Sequence, residues 1–449
     1  MLTRTIIHKL KKWAKSPGRK PLLLRGARQV GKTVAVNLFS SSFEQYISLN
    51  LERKKDREIF EAGLSAHDLY QAILLSGKYH HDKNTLLFID EIQQCPAAVA
   101  SLRYFLEDLP DLAVIAAGSL LEVMLQRNEI SFPVGRVEQL YMDPLTFEEF
   151  LLASGEDSLI DAFNTVPLPQ FAFPKLLDTF HRYAMIGGMP EIVDYYFKDK
   201  AVSNLNNLYQ SLLQSYLDDI GKYAVGGVQA QILRHCIETS PFEAGKRINF
   251  AGFGNSNYKS REIGECLRML ERAMLIKLIY PTVSTAVPIV PDFKKHPKLQ
   301  FLDTGLCNFF VGLQQYYLTA DDLHSFYKGR MAEHVVLQEI IAHSENILQK
   351  TCFWTRESKN SSAEIDCVLQ YKSSLIPVEV KSGKSGKLHS VHLFIDAAKD
   401  SKVAVRLSSA CYSEESIKTP KGNPFTLLNI PYVHASKINS YLDQMESAI

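Results

Sequence analysis

The feature that most constrains this chain is an eight-residue loop with glycine at its first and sixth positions and lysine and threonine at its end. Its residues are Gly26, Ala27, Arg28, Gln29, Val30, Gly31, Lys32 and Thr33. The apolar run PLLL precedes the loop and a helical pattern follows it. A glycine-rich loop at the start of a helix presents backbone N–H groups and a partial positive charge, which bind phosphate groups. We therefore expect Lys32 to reach the β and γ phosphates of a nucleotide and the Thr33 hydroxyl to bind Mg²⁺.

Two adjacent carboxylates, Asp90 and Glu91, follow a second apolar run, LLFI. A buried strand would deliver both acids to its carboxyl end, which is the edge where ligands bind in open α/β sheets. We expect Asp90 to hold Mg²⁺ through water, and Glu91 to orient and deprotonate the water that attacks the γ phosphate. The alternative is that these acids cap the next helix, near Pro96. The phosphate loop upstream favours the nucleotide site.

Two further residues are secondary candidates for the same site. Ser119 ends the run LAVIAAGS, and its hydroxyl is a candidate contact for the γ phosphate or the attacking water. A serine after glycine is more often a turn residue. Arg136 is a candidate for stabilising the transferred phosphoryl charge, either in its own chain or from a neighbouring subunit. A surface salt bridge explains Arg136 equally well.

The first 145 residues alternate between short apolar runs and helical patterns, which predicts a parallel sheet with helices on both faces. The runs are PLLL, YISLNL, TLLFID, LAVIAAG and VEQLYM. YISLNL lies between the two motifs in the sequence. It therefore favours the branch of ATPases that has an additional strand between the phosphate loop and the acidic strand.

Three further parts follow this first domain. Helical spacing alone, from residue 147 to 223, predicts a helical lid or linker layer. Two helices and a short strand at 228–282 predict a winged-helix-like module, which we expect to end at the proline-rich stretch TAVPIVPDFKKHP. A helix, three closely spaced strands, a helix and two strands then predict a separate α/β domain with antiparallel hairpins. The predicted domains are residues 1–145, 146–227, 228–325 and 326–449.

The last domain contains a second group of candidate site residues. Glu379 and Lys381 are two apart on a predicted strand, so they project from the same face. Asp366 begins the preceding strand, and a hairpin would bring it beside Glu379; Glu333, on the preceding helix, is a fourth candidate. Asp366 and Glu379 would share Mg²⁺, with the lysine beside a phosphodiester transition state. The alternative is a solvated salt-bridge ladder on an exposed strand.

Composition limits the other classes of function. The chain has 50 Lys+Arg and 49 Asp+Glu, so no overall positive field attracts nucleic acid or membrane, and such binding needs a local patch. Lys381, Lys384 and Lys387 form one candidate patch for phosphate contact. The seven cysteines include no CxxC pair, which argues against a disulfide framework or a zinc site and favours the cytoplasm. No apolar stretch is long enough to cross a bilayer, so we expect no membrane association.

The order of seven motifs resembles that of prokaryotic AAA-type ATPases with a C-terminal, restriction-endonuclease-like domain of unknown function. The motifs are GARQVGKT, LLFIDEIQ, VIAAGS, VGRVEQLYMDPLTFEEFL, YAMIGGMPE, LDTGL and EIDCVLQ...VEVKSGK. The resemblance covers nearly the whole chain and implies ATP binding and hydrolysis. The residues that it implicates are Lys32, Thr33, Asp90 and Glu91, with Ser119 and Arg136 as secondary candidates. The chain departs from the general AAA pattern in having no obvious lid arginine in its helical segment.

We therefore expect a cytoplasmic, Mg²⁺-dependent ATPase that couples nucleotide turnover to a C-terminal domain that binds nucleic acid or another partner. One alternative is an ATP-regulated, metal-dependent nuclease. Another is a non-enzymatic scaffold that ATP opens and closes. ATP and Mg²⁺ are the expected ligands, while DNA, RNA, a protein and a second copy of the chain all stay open as macromolecular partners.

Overall fold

The computed structural model describes residues 2–77, 79–118, 133–199, 202–224, 226–313, 330–344, 350–358, 361–381, 383 and 388–447. These residues form a parallel sheet, a helical layer, a small module of helices and strands, and a mixed sheet. Ser119, Lys384 and Lys387 lie outside the described residues.

The first domain is built on a five-stranded parallel sheet in the order β2-β3-β4-β1-β5. The strands are β1 (Leu22–Arg25), β2 (Gln45–Asn50), β3 (Thr85–Asp90), β4 (Ala113–Gly118) and β5 (Glu138–Tyr141). All the predicted strands are present and the predicted parallel sheet is confirmed. Strands β1, β3 and β4 are buried along their whole length, as expected of a parallel sheet covered on both faces. The helices of this domain are α1 (Ile6–Ala14), α2 (Lys32–Phe39), α3 (Lys54–Glu61), α4 (Ala66–Gly77) and α5 (Pro96–Asp108).

An additional strand does separate the strand of the phosphate loop from the acidic strand, but it is not the segment expected from the sequence. Strand β4 pairs with both β1 and β3. The segment YISLNL forms β2, which lies at the edge of the sheet beside β3. Parallel strands need crossover connections, so order along the chain does not determine order in the sheet.

Helices alone fill the described part of residues 147–223, as predicted. They are α6 (Phe147–Ser154), α7 (Asp157–Asn164), α8 (Phe173–Ile186), α9 (Pro190–Asp199), α10 (Asn206–Asp218) and α11 (Ile220–Tyr223). The next module contains α12 (Gly227–Glu243), α13 (Ser260–Arg272) and an antiparallel pair, β6 (Ile276–Ile279) with β8 (Lys298–Phe301). Helix α14 (Thr304–Phe310) follows. The module has the predicted helices and strand, and its identity as a winged helix stays a prediction.

The proline-rich stretch does not end this module. The stretch is residues 285–297, between β6 and β8. Just before it, Pro281–Thr282 form β7, which pairs with the C-terminal sheet. Proline marks a turn, but it does not show whether the chain returns to the same sheet afterwards. The segment between β6 and β8 therefore belongs to the middle module and also pairs with the C-terminal sheet.

The C-terminal domain is a mixed sheet of seven strands in the order β13-β14-β12-β11-β10-β9-β7. Its own strands are β9 (Cys352–Ser358), β10 (Ser361–Tyr371), β11 (Ser374–Val380), β12 (Val403–Ser408), β13 (Ser413–Lys418) and β14 (Pro424–Pro431). The predicted antiparallel hairpins of β9, β10 and β11 are confirmed. The helices are α15 (Arg330–Ala342), α16 (His389–Ala397) and α17 (Ile438–Ser447).

One cluster of buried apolar side chains runs through the whole molecule, from Leu10 in α1 through Phe180 in α8 to Leu442 in α17. Smaller clusters fill the other face of the first sheet and the outer part of the C-terminal domain. None of the described helices combines the length and the apolar character needed to cross a membrane.

Candidate nucleotide site and acidic cluster

The predicted phosphate loop joins the carboxyl end of β1 to the first turn of α2. Gly31 lies directly before α2 with φ 92° and ψ 22°, a left-handed conformation that glycine adopts without a steric cost. Gly26 is required for a different reason, because a Cβ there would lie 2.4 Å from the carbonyl O of Met142. The two glycines therefore allow the loop to turn closely around the start of the helix.

The Lys32 ammonium lies at the centre of this loop. Its Nζ donates to the carbonyl O of Gly26 at 2.9 Å and to that of Ala27 at 2.8 Å. Burial lowers the pKa of Lys32 to about 8, although the negative charges of Glu91 and Asp90 oppose the shift. The loop thus holds a buried cation beside its own backbone.

Thr33 and Asp90 meet where α2 begins and β3 ends. Thr33 Oγ1 donates to Asp90 Oδ2 at 2.7 Å, and the backbone N–H of Glu91 donates to Asp90 Oδ1 at 3.0 Å. Burial raises the pKa of Asp90, against the effect of the Thr33 hydrogen bond. Hydroxyl and carboxylate oxygens are hard ligands of the kind that Mg²⁺ prefers. The donor set therefore fits the expected metal.

Glu91 turns away from the end of β3 with φ 52° and ψ 43°. Its Oε2 accepts a hydrogen bond from Gln93 Nε2, and burial raises the pKa of Glu91. Neither acid caps the next helix: α5 begins after Cys95 without a side-chain cap. The capping alternative is therefore wrong. The sequence did not single out Gln93, because a glutamine next to an acidic motif has no distinctive pattern of its own.

The same loop is fixed from outside by residues that the sequence did not identify. Arg28 Nη1 donates to both carboxylate oxygens of Asp219, at 2.6 and 2.5 Å, and the Tyr216 hydroxyl donates to the carbonyl O of Arg28 at 3.1 Å. On another side, Arg4 donates to the carbonyl O of Val30 at 2.7 Å. The helical layer and the N-terminal segment therefore both contact the phosphate loop.

Arg136 does not lie near the phosphate loop of its own chain. It precedes β5, whose first residue, Glu138, pairs with Leu22 at the amino end of β1. The loop follows the opposite end of β1. Arg136 Nε lies 3.1 Å from Glu107, so the salt-bridge explanation describes this residue within one chain. A role toward a neighbouring subunit stays a prediction.

The candidate residues of the C-terminal domain are brought together in part. Asp366, on β10, accepts a hydrogen bond through Oδ2 from the backbone N–H of Val380 at 2.8 Å. Lys381 forms an ion pair with Glu379. Burial raises the pKa of Glu379 and of Glu333 on α15. The hairpin thus places Asp366 beside the strand that carries Glu379, as expected.

A lysine that the sequence did not identify lies within this acidic cluster. Lys298 comes from β8, and its Nζ lies 2.8 Å from Glu364, 3.5 Å from Asp366 and 3.7 Å from Glu333. Only 5% of its side chain is exposed. Across the part of the chain that the structure describes, no three or more His, Cys, Asp or Glu side chains form a group that could hold a metal ion. The Lys298 ammonium therefore supplies the positive charge beside Glu333, Glu364 and Asp366.

The loop, the acidic strand and the strand order agree with a comparison of families: residues 18–151 match a family described as an AAA domain. Residues 18–151 form an AAA-type P-loop domain. Two further segments match families described only as domains of unknown function, DUF8612 at residues 177–317 and DUF4143 at residues 328–432. The restriction-endonuclease-like identity of the last domain therefore stays a proposal.

No curated protein matches the chain. Among solved structures, the chain is similar to the Walker-type ATPase PABY2304 of Pyrococcus abyssi, with 14% identity, a TM-score of 0.45, and coverage of 69% of this chain and 96% of the other. It is also similar to the Aeropyrum pernix ORC1 protein in complex with DNA, with 13% identity, a TM-score of 0.27, and coverage of 70% and 92%. AMPPCP-bound DnaA from Aquifex aeolicus matches with 12% identity, a TM-score of 0.27, and coverage of 60% and 89%.

The AAA-type domain meets the helical layer and α14 through main-chain contacts. The backbone N–H of Leu145 donates to the carbonyl O of Gly188 at 2.6 Å, and the backbone N–H of Gly188 donates to Asp303 Oδ2 at 2.6 Å. Asp303 Oδ1 accepts from the backbone N–H of Leu306 at 3.1 Å and so caps α14. The motifs PLTFEEF, GGMPE and LDTGL are thus parts of one junction.

The C-terminal domain joins the same junction through α15. Glu339 Oε1 accepts from the backbone N–H of Phe147 at 3.0 Å and from the Tyr183 hydroxyl at 2.6 Å. Burial raises the pKa of Glu339. The Glu339 carboxylate of α15 therefore contacts α6 and α8 of the helical layer at once.

Proposed function

We propose that the chain binds ATP with Mg²⁺ at the loop between β1 and α2 and hydrolyses it. The observation that carries the proposal is the 2.7 Å contact of Thr33 with Asp90, beside a buried Lys32. This contact joins the loop motif to the acidic motif, which are 57 residues apart in the sequence. The ends of β1 and β3 thus bring Lys32, which would bind the phosphates, close to Thr33 and Asp90, which would hold the cation.

Each residue has a distinct role in this proposal. The backbone N–H groups of the loop and the Lys32 ammonium bind the phosphates. Thr33 and Asp90 would hold Mg²⁺, which supplies positive charge to the phosphate oxygens when bound. Glu91 takes the proton of the attacking water, and Gln93 fixes its carboxylate.

Calorimetry of the full chain with ATP and Mg²⁺ tests the binding step. We expect heat of association for the unchanged protein and for Lys55→Ala, which removes an exposed lysine on α3. We expect Lys32→Ala to weaken binding by about 100-fold, because the buried ammonium faces the phosphates. No heat from the unchanged protein would overturn the proposal.

Hydrolysis separates the enzyme from the scaffold alternative. Glu91→Gln should bind ATP with nearly unchanged affinity and turn it over at least about 100-fold more slowly, since it lacks the base. If the unchanged protein shows no phosphate release, while Glu91→Gln traps a stable ATP-bound assembly, the non-enzymatic scaffold is the better account.

We infer that turnover is coupled to the later domains through the contacts at Arg28 and Glu339.

A metal-dependent nuclease is a second candidate function for the C-terminal domain. The placement of Asp366 against β11, beside the Glu379 and Lys381 pair, favours it. Cleavage of DNA or RNA with Mg²⁺ or Mn²⁺ should be lost in Asp366→Ala and in Glu379→Ala, and kept in Asp400→Ala, where the acid is exposed. Absence of cleavage of any DNA or RNA form counts against this candidate.

A further inference from the structure

The phosphate loop contacts the helical layer through an ion pair whose two side chains differ in solvent exposure. Arg28 belongs to the loop, and 38% of its side chain is exposed, whereas only 4% of the Asp219 side chain is. The Tyr216 hydroxyl contacts the carbonyl O of the same arginine. Helix α10 and the residue that follows it therefore approach the loop at one point, Arg28.

The charge of Arg28 interacts electrostatically with Lys32 and Glu91, which bind and hydrolyse nucleotide in the proposed function. Burial lowers the pKa of Lys32, and the positive charge of Arg28 adds to that shift. The hydrogen bond to Asp219 raises the pKa of Arg28, and the charge of Glu91 adds a smaller part. The guanidinium thus belongs to the same electrostatic environment as the phosphate site, while its hydrogen-bonding partner belongs to the helical layer.

Asp219 lies at a joint. Helix α10 ends at Asp218 and α11 begins at Ile220, so Asp219 is the single residue between them. A crevice of about 370 Å³ borders the joint on the side of α12, lined by residues that include Leu217, Gly221 and Arg234. A small displacement at Asp219 would therefore change the angle between two helices with space available beside them.

We propose that Asp219 is the nucleotide sensor of the helical layer, and that it acts by competing with the phosphates for Arg28. This inference rests on the proposed function. Bound ATP brings several negative charges to the loop, so the guanidinium is shared with the phosphates, and its pair with Asp219 weakens. The joint between α10 and α11 is then released. The sensing pair has its cation in the loop and its acid in the helical layer.

Competition predicts effects of opposite sign for the two partners. Asp219→Asn keeps the shape of the side chain and frees Arg28, so ATP affinity should rise about fivefold. Arg28→Gln removes the shared cation, so affinity should fall about tenfold. Glu238→Gln, which breaks an exposed ion pair on α12, is the matched control and should leave affinity unchanged.

The double variant identifies the mechanism. If Asp219 affects ATP binding through Arg28, the double variant Arg28→Gln with Asp219→Asn should bind ATP as weakly as Arg28→Gln alone. A purely structural pair gives a different result: both single variants weaken ATP binding, or neither changes it, and either outcome overturns the inference. If the unchanged protein binds no ATP at all, the proposed function itself has failed. That result differs from an unchanged protein that binds ATP while the two single variants show no opposite effects.

Hydrogen exchange at residues 213–224 provides a second measurement that does not depend on affinity. We expect ATP to speed exchange in this segment of the unchanged protein, because the joint loses its contact with the loop. In Arg28→Gln the segment should exchange fast with and without ATP. Thermal unfolding confirms that each variant is folded. Slower exchange with ATP in the unchanged protein would overturn the inference.

Discussion

Lys32 is a cation whose charge the folded protein destabilises. Its Nζ is held by two loop carbonyls, and burial lowers its pKa to about 8, so a fraction of the molecules loses this proton in mildly alkaline solution. Phosphate oxygens close to the ammonium stabilise the charged form and raise its pKa again. Nucleotide binding and protonation of Lys32 are therefore linked.

This linkage predicts a pH dependence of ATP binding. As the pH rises through about 8, more of the free protein must take up a proton to bind, so ATP affinity should fall. Calorimetry at pH 8.5, in buffers with different ionisation enthalpies, would measure the uptake. Lys32→Arg keeps its charge at this pH and should show no uptake from this site. Equal proton uptake by both proteins would contradict the assignment.

Gln93 is expected to act on the rate and not on binding. Its Nε2 donates to Glu91 Oε2, and this bond lowers the pKa of Glu91 against the effect of burial. Gln93→Leu should reduce kcat about tenfold while KM for ATP changes little, because the base is no longer fixed. The acidic limb of the kcat profile should move to higher pH, since loss of the donor raises the pKa of Glu91 further. An unchanged profile with lower stability would indicate a structural role only.

At this scale the sequence identifies residues within a motif and misses their partners. Lys32, Thr33, Asp90 and Glu91 are recognisable because strand, loop and helix follow one another locally. Asp219 is 191 residues away from Arg28, and its only local feature is an acid at the end of a helix. A contact of this kind depends on how two layers pack, which local periodicity does not encode.

Lys298 belongs to β8 of the middle module, and its ammonium contacts acidic residues of the C-terminal domain. Lys298 is buried among Glu364, Asp366 and Glu333, and the ring of Phe353 lies 5.1 Å from its ammonium. Removing one partner of a buried ion pair leaves the others uncompensated, which costs more than the pair contributes. The lysine therefore neutralises the acids that the nuclease candidate requires.

Lys298→Ala should lower the free energy of unfolding by about 3 kcal/mol, because it leaves the buried Asp366 and the half-buried Glu333 and Glu364 without their cation. Denaturant unfolding measures the change, and Lys402→Ala, at an exposed lysine, should stay within about 0.5 kcal/mol of the unchanged protein. Adding Glu364→Gln to Lys298→Ala should recover part of the loss. If the second substitution adds a further full loss, the two side chains are not coupled.

Elements were predictable where their pattern was apolar and regular. The five strands of the AAA-type sheet and the hairpins of β9, β10 and β11 follow from runs of apolar residues between turns. Strand β13, with the sequence SEESIK, is mostly exposed and has no such run, and β7 has only two residues. Both join the sheet at its edges, where pairing with a neighbour replaces the need for an apolar pattern.

At the scale of the whole molecule, one junction connects all four parts of the chain. Leu145 follows the AAA-type sheet, Gly188 lies in the helical layer, and Asp303 precedes α14. The backbone of Leu145 is hydrogen-bonded to that of Gly188, which in turn is hydrogen-bonded to the Asp303 carboxylate. Glu339 adds the C-terminal domain. Because the largest apolar core also passes through all these parts, we expect the described domains to unfold together.

Gly188→Ala tests whether the close approach at this junction holds the molecule together. A Cβ at Gly188 would lie 2.1 Å from the carbonyl O of Leu145, so the two backbones must separate. We expect a loss of about 3 kcal/mol in unfolding free energy, with the fluorescence and circular dichroism transitions still coincident. Gly221→Ala is the matched control, because a Cβ there meets no atom within 4 Å, and it should not destabilise the protein. If Gly188→Ala instead leaves stability unchanged, or separates the two transitions, the close approach at Gly188 does not unite the domains, and the coupling to the C-terminal sheet would depend on the Glu339 contacts with Phe147 and Tyr183.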